Sequence, residues 1–330
     1  MEKNRPLLIV LTPVFNEAWI LPAFLKATLL WADYIIVADQ MSTDGSRELY
    51  KQYPKVRVVD NPRKEMHQAA TRRMLFEEAK KIDGDKILFA LDADEFLSGN
   101  FVETEGWKTI LNSEPGDVFE FRWLNLNETG RDYYLTPVPY YWAIHVDEDW
   151  LEGEFPDNFI HEWRLPWPPH VHQEYIIDDI YFIHFRRVNA LRQLNKARSY
   201  QVLQYLAPSS KRSGISFYRQ YNYESIKEMH AIPQDLYAYY KANGVDILKE
   251  LDTSDEGVHY VNTVLRKIEE HGASTFRKLD IWDADFLTKY NLSDPRRPID
   301  KLMHKYLHVT EKVASNIMIR CIDKVLKKIY

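Results

Sequence analysis

Asp92 and Asp94 stand two residues apart in Leu91-Asp92-Ala93-Asp94-Glu95-Phe96, directly after the apolar run Lys86-Ile87-Leu88-Phe89-Ala90. A strand turns residues i and i+2 to the same side, so both carboxylates can aim just past its carboxyl end. Open α/β sheets bind their ligands there. Hard oxygen donors suit Mg2+ or Mn2+, and neither ion needs a full protein cage when a diphosphate supplies further oxygens. The same residues also read as a strand followed by an acidic, solvated turn, so the rest of the chain has to decide.

The elements that must carry this pair are legible as alternation. Apolar, β-branched runs at 7–11, 34–38, 56–59 and 86–91 alternate with helical patterns at 18–31, 46–53 and 65–81. Repeated βαβ units give a mostly parallel sheet covered by helices, so the fold class expected is α/β. Turn chemistry falls where strands should end, at Thr12-Pro13, Ser42-Thr43-Asp44-Gly45, Asp60-Asn61-Pro62 and Asp83-Gly84-Asp85, with Thr43 or Asp44 placed to cap a helix.

From 118 to 185 short strand-like runs, at 118–123, 159–165 and 180–185, predict an antiparallel extension of the sheet. Its loops carry Tyr133, Tyr134, Tyr140, Tyr141, Trp142, Trp150, Trp163 and Trp167, of which at least half are expected in the core and the others against sugar rings. Residues 147–157 hold six acids and no base and read as a solvated loop. Beyond about 188 the pattern is helical. The division expected is an α/β domain carrying the acidic pair over 1–205 and a helical C-terminal region over 206–330.

At 330 residues, 45% hydrophobic and 28% charged, the chain has the composition of an ordinary soluble protein. A net charge of −6 argues against nucleic-acid binding. Cys321 is the single cysteine, which fits a reducing compartment, and 7–11 is too short for a signal-peptide core; a cytoplasmic location is expected. The final thirty residues carry seven Lys/Arg against two Asp/Glu, with apolar residues Val309, Val313, Ile317, Ile322 and Leu326 at helical spacing. Such a basic amphipathic helix suits either peripheral membrane contact or docking on the protein itself. His304 and His308, one helical turn apart without a third ligand, read as surface residues.

Four segments together resemble family 2-type glycosyltransferases with the GT-A fold, of the bacterial type with a DADE motif. They are Pro13-Val14-Phe15-Asn16-Glu17, Asp39-Gln40-Met41-Ser42-Thr43-Asp44-Gly45-Ser46, Thr71-Arg72-Arg73 and Asp92-Ala93-Asp94, in the family's order across about ninety residues. The chain departs from the pattern at Gln40, Met41 and Arg73, where relatives often carry Asp, Gly and Asn.

The resemblance implies a metal-dependent, inverting transfer of a sugar from a nucleotide-diphosphate donor, first of all a UDP-sugar, to a glycan or lipid-linked acceptor. It implies Asp94 as ligand of Mn2+ or Mg2+, and Asp92 at the ribose or the metal's water shell. Asp39 is expected on the base ring N–H, with Pro13, Asn16 and Glu17 lining the base and ribose pocket and Arg72 on the diphosphate. His184, in the family-like Ile183-His184-Phe185, is expected as a second metal or phosphate contact. The acceptor hydroxyl must lose a proton, and Glu174 of His170-Val171-His172-Gln173-Glu174 is the base expected, with Asp178 and Asp179 as substitutes.

Three other readings fit less well. A haloacid dehalogenase-type phosphatase expects Thr or Val where Phe96 stands, and a sugar-phosphate nucleotidyltransferase expects a glycine-rich loop where 12–17 has none. A non-catalytic carbohydrate-binding protein would have little use for Asp39, Asp92 and Asp94 together.

Overall fold

The computed structural model describes residues 5–63, 67–147, 150, 164–207, 212–221 and 228–330. Packing divides the chain into two compact units, one of residues 1–188 with 230–254 and the other of 189–229 with 255–330. The division expected near 205 is therefore drawn at Val188, and a later segment returns to the first unit.

The first unit is built on four parallel strands: β1 (Leu7–Val14), β2 (Tyr34–Asp39), β3 (Val56–Asp60) and β4 (Lys86–Ala90), in the order β3-β2-β1-β4. Helices α1 (Leu21–Thr28), α2 (Ser46–Tyr50) and α3 (Gln68–Lys80) lie between them in the chain. β1, β2 and β4 alternate between two apolar layers, while β3 at the sheet edge is only partly covered. Leu8 and Val10 of β1 join Phe24, Trp31 and Phe89 in one cluster, whereas Ile9 and Leu11 join Leu75, Phe76 and Leu88 in the other. Burial on both faces explains why these strands read as continuous apolar runs.

The antiparallel extension follows: β5 (Glu95–Leu97), α4 (Glu105–Leu111), β6 (Val118–Leu126), β7 (Asp132–Leu135), β8 (Tyr140–His145) and β9 (Glu174–His184), with the two-residue β10 (His230–Ala231) at its edge. β8 joins the extension to the parallel core by pairing antiparallel with β4. β9 is the longest strand and pairs on one side with β6 and, at its carboxyl end, with β5. The α/β class with an antiparallel extension is thus what the chain adopts. The strand expected over 159–165 lies largely outside the described residues, as do Trp163 and most of the acidic stretch 147–157; 164–165 are not strand. Tyr134, Trp142 and Trp150 are core, while Tyr140 is exposed and Tyr133, Tyr141 and Trp167 are half-buried.

Near the amino end of β4 the buried Ser113 and His145 and the exposed Asp85 form a chain that resembles a hydrolase triad in composition, with His145 at 2.8 Å from Ser113 and 2.6 Å from Asp85. The Ser113 hydroxyl donates to the Ile110 carbonyl at 2.7 Å, so it has no proton to give the histidine. The chain ties β8 to the turns around it.

The second unit contains α5 (Ala190–Leu206), α6 (Gly214–Tyr221), α8 (Val258–His271), α9 (Ala284–Lys289), α10 (Pro298–Val309) and α11 (Ile317–Ile329); α7 (Ala238–Ala242) belongs to the first. Val202, Phe217, Val264, Phe276 and Trp282 form its core, with Ile215, Tyr218, Met303 and Leu307 as a smaller cluster. The single basic helix expected at the C-terminus is two helices, interrupted between Thr310 and Asn316. His304 is a second correction: it is buried, 3.3 Å from the Lys278 carbonyl, whereas His308 is exposed.

Candidate active site at the carboxyl ends of β1, β2 and β4

The loops after β1 and β2 are sewn together by side chains. The Asn16 N–H donates to Ser42 Oγ at 2.9 Å, the Thr43 N–H to Asn16 Oδ1 at 2.7 Å, and the Ala18 N–H to Asp44 Oδ2 at 2.8 Å. Asn16 and Met41 both adopt left-handed backbone, with φ of 55° and 57°. Asparagine tolerates that region, but methionine does so at a cost. A glycine, as relatives carry at the Met41 position, would adopt it freely. Glu17 is half-buried and accepts from Trp19 Nε1 at 2.6 Å, and Pro13 is half-buried beside Ala38 in the strand register.

Asp39 differs from expectation. It is fully buried, with Oδ1 taking the Ser42 N–H at 2.9 Å and Arg47 at 2.9 Å, and Oδ2 taking the Tyr50 hydroxyl at 3.0 Å. Burial and the neighbouring Asp39 carboxylate push the Tyr50 hydroxyl far above its ordinary range, so it stays a donor. These three bonds make the residue an organiser of the loop after β2.

The turn between β4 and β5 holds the acidic motif in a mesh of two arginines. Arg72, buried on α3, donates to Asp92 Oδ1 at 2.8 Å, and Arg164 donates to Asp92 Oδ2 at 3.0 Å. Arg164 also pairs with both oxygens of Glu95, which is wholly buried, and its guanidinium lies 5.3 Å from the ring centroids of both Trp123 and Trp142. Glu95 further accepts the Asp92 N–H at 2.9 Å and Trp123 Nε1 at 2.7 Å. Burial lowers the Arg164 pKa, but Asp92 and Glu95 outweigh it and hold the guanidinium more firmly charged than usual. Burial, only partly offset by Asp92, leaves Arg72 below its ordinary value. Its Nη1 is buried without a hydrogen-bond partner.

Asp94 is buried and faces His184: Oδ2 lies 3.6 Å from His184 Nε2. The strand pairing explains the meeting, since His184 is opposite Glu95 of β5 and opposite Asn125 of β6. Asn125 Oδ1 is 3.0 Å from His184 Nδ1, and the Trp123 ring stacks on the imidazole with centroids 5.3 Å apart. A proton on Nδ1, donated to Asn125, leaves the Nε2 lone pair aimed at the Asp94 side. A carboxylate and an imidazole facing each other beyond hydrogen-bond reach fit a divalent cation as shared ligands. Among the described residues no group of three acidic, histidine or cysteine side chains could hold a metal alone.

Glu174 is not part of this constellation. It opens β9, opposite Val118, while His184 closes it, opposite Asn125, so seven residues of β6 and roughly 20 Å separate the two ends. Its substitutes are also occupied: Asp178 pairs with Arg122, and Asp179 accepts the Gly106 N–H at 3.0 Å. A Cβ on Gly106 would collide with the Asp179 carboxylate, so this close contact anchors α4 against β9.

Residues 9–105 match the model of Glycosyl transferase family 2. The match covers less than a third of the chain. The four motifs on which the resemblance rested all lie within the matched residues. No curated protein matches the chain. Among solved structures, glucosyl-3-phosphoglycerate synthase from Mycobacterium tuberculosis in complex with Mn2+, UDP and phosphoglyceric acid is 22% identical, over 36% of this chain and 43% of that one, with a TM-score of 0.27. This chain thus spans under half of that relative. Its complex with glucosyl-3-phosphoglycerate, UDP and Mn2+ aligns over 54% and 72% at 18% identity and TM-score 0.35. GalNAc-T7 with UDP, GalNAc and Mn2+ aligns over 82% and 59% at 12% identity and TM-score 0.34.

Sequence reasoning missed Arg164, Asn125 and the structural role of Glu95. Asn125 left a weak signal, a buried polar residue between Leu124 and Leu126 at the carboxyl end of β6. Arg164 left none, because its partners are seventy residues away.

Proposed function

We propose that the family 2 domain transfers a sugar from a nucleoside-diphosphate donor to an acceptor hydroxyl, with a divalent cation held by Asp94 and His184. The observation that carries this reading is the Asp94–His184 pair with its imidazole oriented by Asn125. Mn2+ or Mg2+ bound there would act as a Lewis acid on the diphosphate. Arg72 faces the same charge with its unpartnered Nη1, a donor that a phosphate oxygen would satisfy. Asp92, fixed by two arginines, keeps acceptor capacity for a ribose hydroxyl. Asn16, Glu17 and Pro13 form the adjoining loop, where the base and ribose would lie.

In the reaction the bond from the anomeric carbon to the diphosphate breaks, a bond from the acceptor oxygen forms, and the hydroxyl proton leaves to a base. An inverting course was expected with Glu174 as that base. Its position at the other end of β9 removes this support, so the proposal is metal-dependent transfer, with a UDP-sugar as donor and a glycan or lipid-linked acceptor. A phosphatase using Asp92 as nucleophile is disfavoured, because both its oxygens are held by guanidinium groups.

Thermal-shift titration with UDP, GDP, CDP and dTDP, each with and without Mn2+, tests the reading. Stabilisation by UDP that requires the metal is expected, about 2.7 kcal/mol at a hundredfold excess over Kd. Silence from all four nucleotides in folded protein overturns it.

A further inference from the structure

We propose that α10, the turn after it and α11 form a surface that docks on an anionic lipid bilayer. The inference is independent of the transferase reading. Nineteen large apolar side chains are exposed among the described residues, and eight of them fall between Ile299 and Val325. Val309, Met318 and Ile317 expose 74%, 70% and 69% of their surface, more than any other large apolar side chain in that set.

The faces of α11 are separate. Ile319, Asp323 and Leu326 are its less exposed positions, and Asp323 accepts Arg219 of α6 at 2.8 Å and the Tyr306 hydroxyl of α10 at 2.8 Å. Met318, Ile322 and Val325, at i, i+4 and i+7, make an exposed apolar stripe. Arg320, Lys324 and Lys327 repeat the same spacing one face further round, all exposed. On α10, Leu302, Lys305 and Val309 continue this mixture of apolar and basic side chains.

Charge decides what the surface meets. Residues 298–330 carry seven exposed Lys/Arg. Of their three acids, Asp300 and Asp323 are buried, and Glu311 is half-buried and takes the Tyr218 hydroxyl at 2.7 Å. A net-negative chain has therefore placed a predominantly cationic exterior around exposed aliphatic side chains. Anionic headgroups satisfy the lysines while the acyl boundary takes the apolar stripe. Among the described residues no helix is long and apolar enough to cross a membrane.

The test is co-sedimentation of the full chain with phosphatidylcholine vesicles and with vesicles rich in phosphatidylglycerol. The wild type is compared with a Lys324→Glu, Lys327→Glu, Lys328→Glu variant and a Met318→Ser, Ile322→Ser, Val325→Ser variant. Unchanged thermal midpoints show that both variants fold, since every altered side chain is exposed. Binding to the anionic vesicles alone is expected, weakened at least about tenfold in each variant. Equal binding by all three proteins, or none to either vesicle, overturns the proposal. A wild-type dimer that the serine variant converts to monomer also overturns it, by assigning the surface to a second copy of the chain.

Discussion

His184 Nε2 faces Asp94 Oδ2 across 3.6 Å while its Nδ1 is tied to Asn125 Oδ1 at 3.0 Å. Three strands meet to make this contact: Asp94 precedes β5, His184 ends β9 and Asn125 lies near the end of β6. The carboxylate needs the cation more than the fold needs the carboxylate. Asp94→Asn should therefore abolish metal-dependent stabilisation by nucleotide and leave the metal-free thermal midpoint nearly unchanged. Calorimetry with Mn2+ and UDP reads the first, and unaltered binding would remove Asp94 from the site.

Asn125 touches the imidazole and acts through it. Asn125→Ala frees the tautomer and ring orientation, and Mn2+ affinity should fall about 10–100-fold with both ligands intact. Titration of Mn2+ in saturating nucleotide measures it. Asn125→Asp, which restores an acceptor, should recover most of the loss.

Arg164 holds the only guanidinium hydrogen-bonded to the buried Glu95 among the described residues. Arg164→Ala leaves that carboxylate in an apolar setting between tryptophans and should destabilise the protein by about 3–5 kcal/mol. Urea unfolding checks this, and adding Glu95→Gln to the variant should restore part of the stability.

Glu174→Gln should leave metal-dependent nucleotide binding and turnover at the wild-type level, because the residue sits at the far end of β9 from His184. A large loss of turnover with intact donor binding would bring Glu174 back as the base.

His304 and His308 give opposite pH dependences. Burial lowers the His304 pKa, so below about 6.5 the unfolded chain takes the extra proton and stability falls as pH drops. The Asp280 carboxylate raises His308, whose contribution is full below about 6.5 and is lost as pH rises through its raised value. His304→Gln should flatten the acid side of the stability profile and His308→Gln the alkaline side. Thermal midpoints of both variants and wild type between pH 5 and 8 decide it.

Much of the nucleotide-binding half was legible because its signals are local. Two-sided burial makes β1, β2 and β4 apolar runs, and the turn residues after them sit in sequence beside the chemistry they support. Asp92, Asp94 and Arg72 could be named for the same reason, as each stands at an element's end or on a helix that the period reveals. Glu174 lies at the other end of β9 from His184, and spacing within one strand says nothing of which end approaches Asp94. That is set by the parallel register of β9 on β6. His304 likewise looked exposed from helical spacing, and only the packing of α10 buries it. The sequence by itself determined the α/β class, the order of the motifs and the acidic turn. The tertiary structure alone decided that Arg164 and Asn125 join the site, because register and desolvated ion pairing act between segments far apart in the chain.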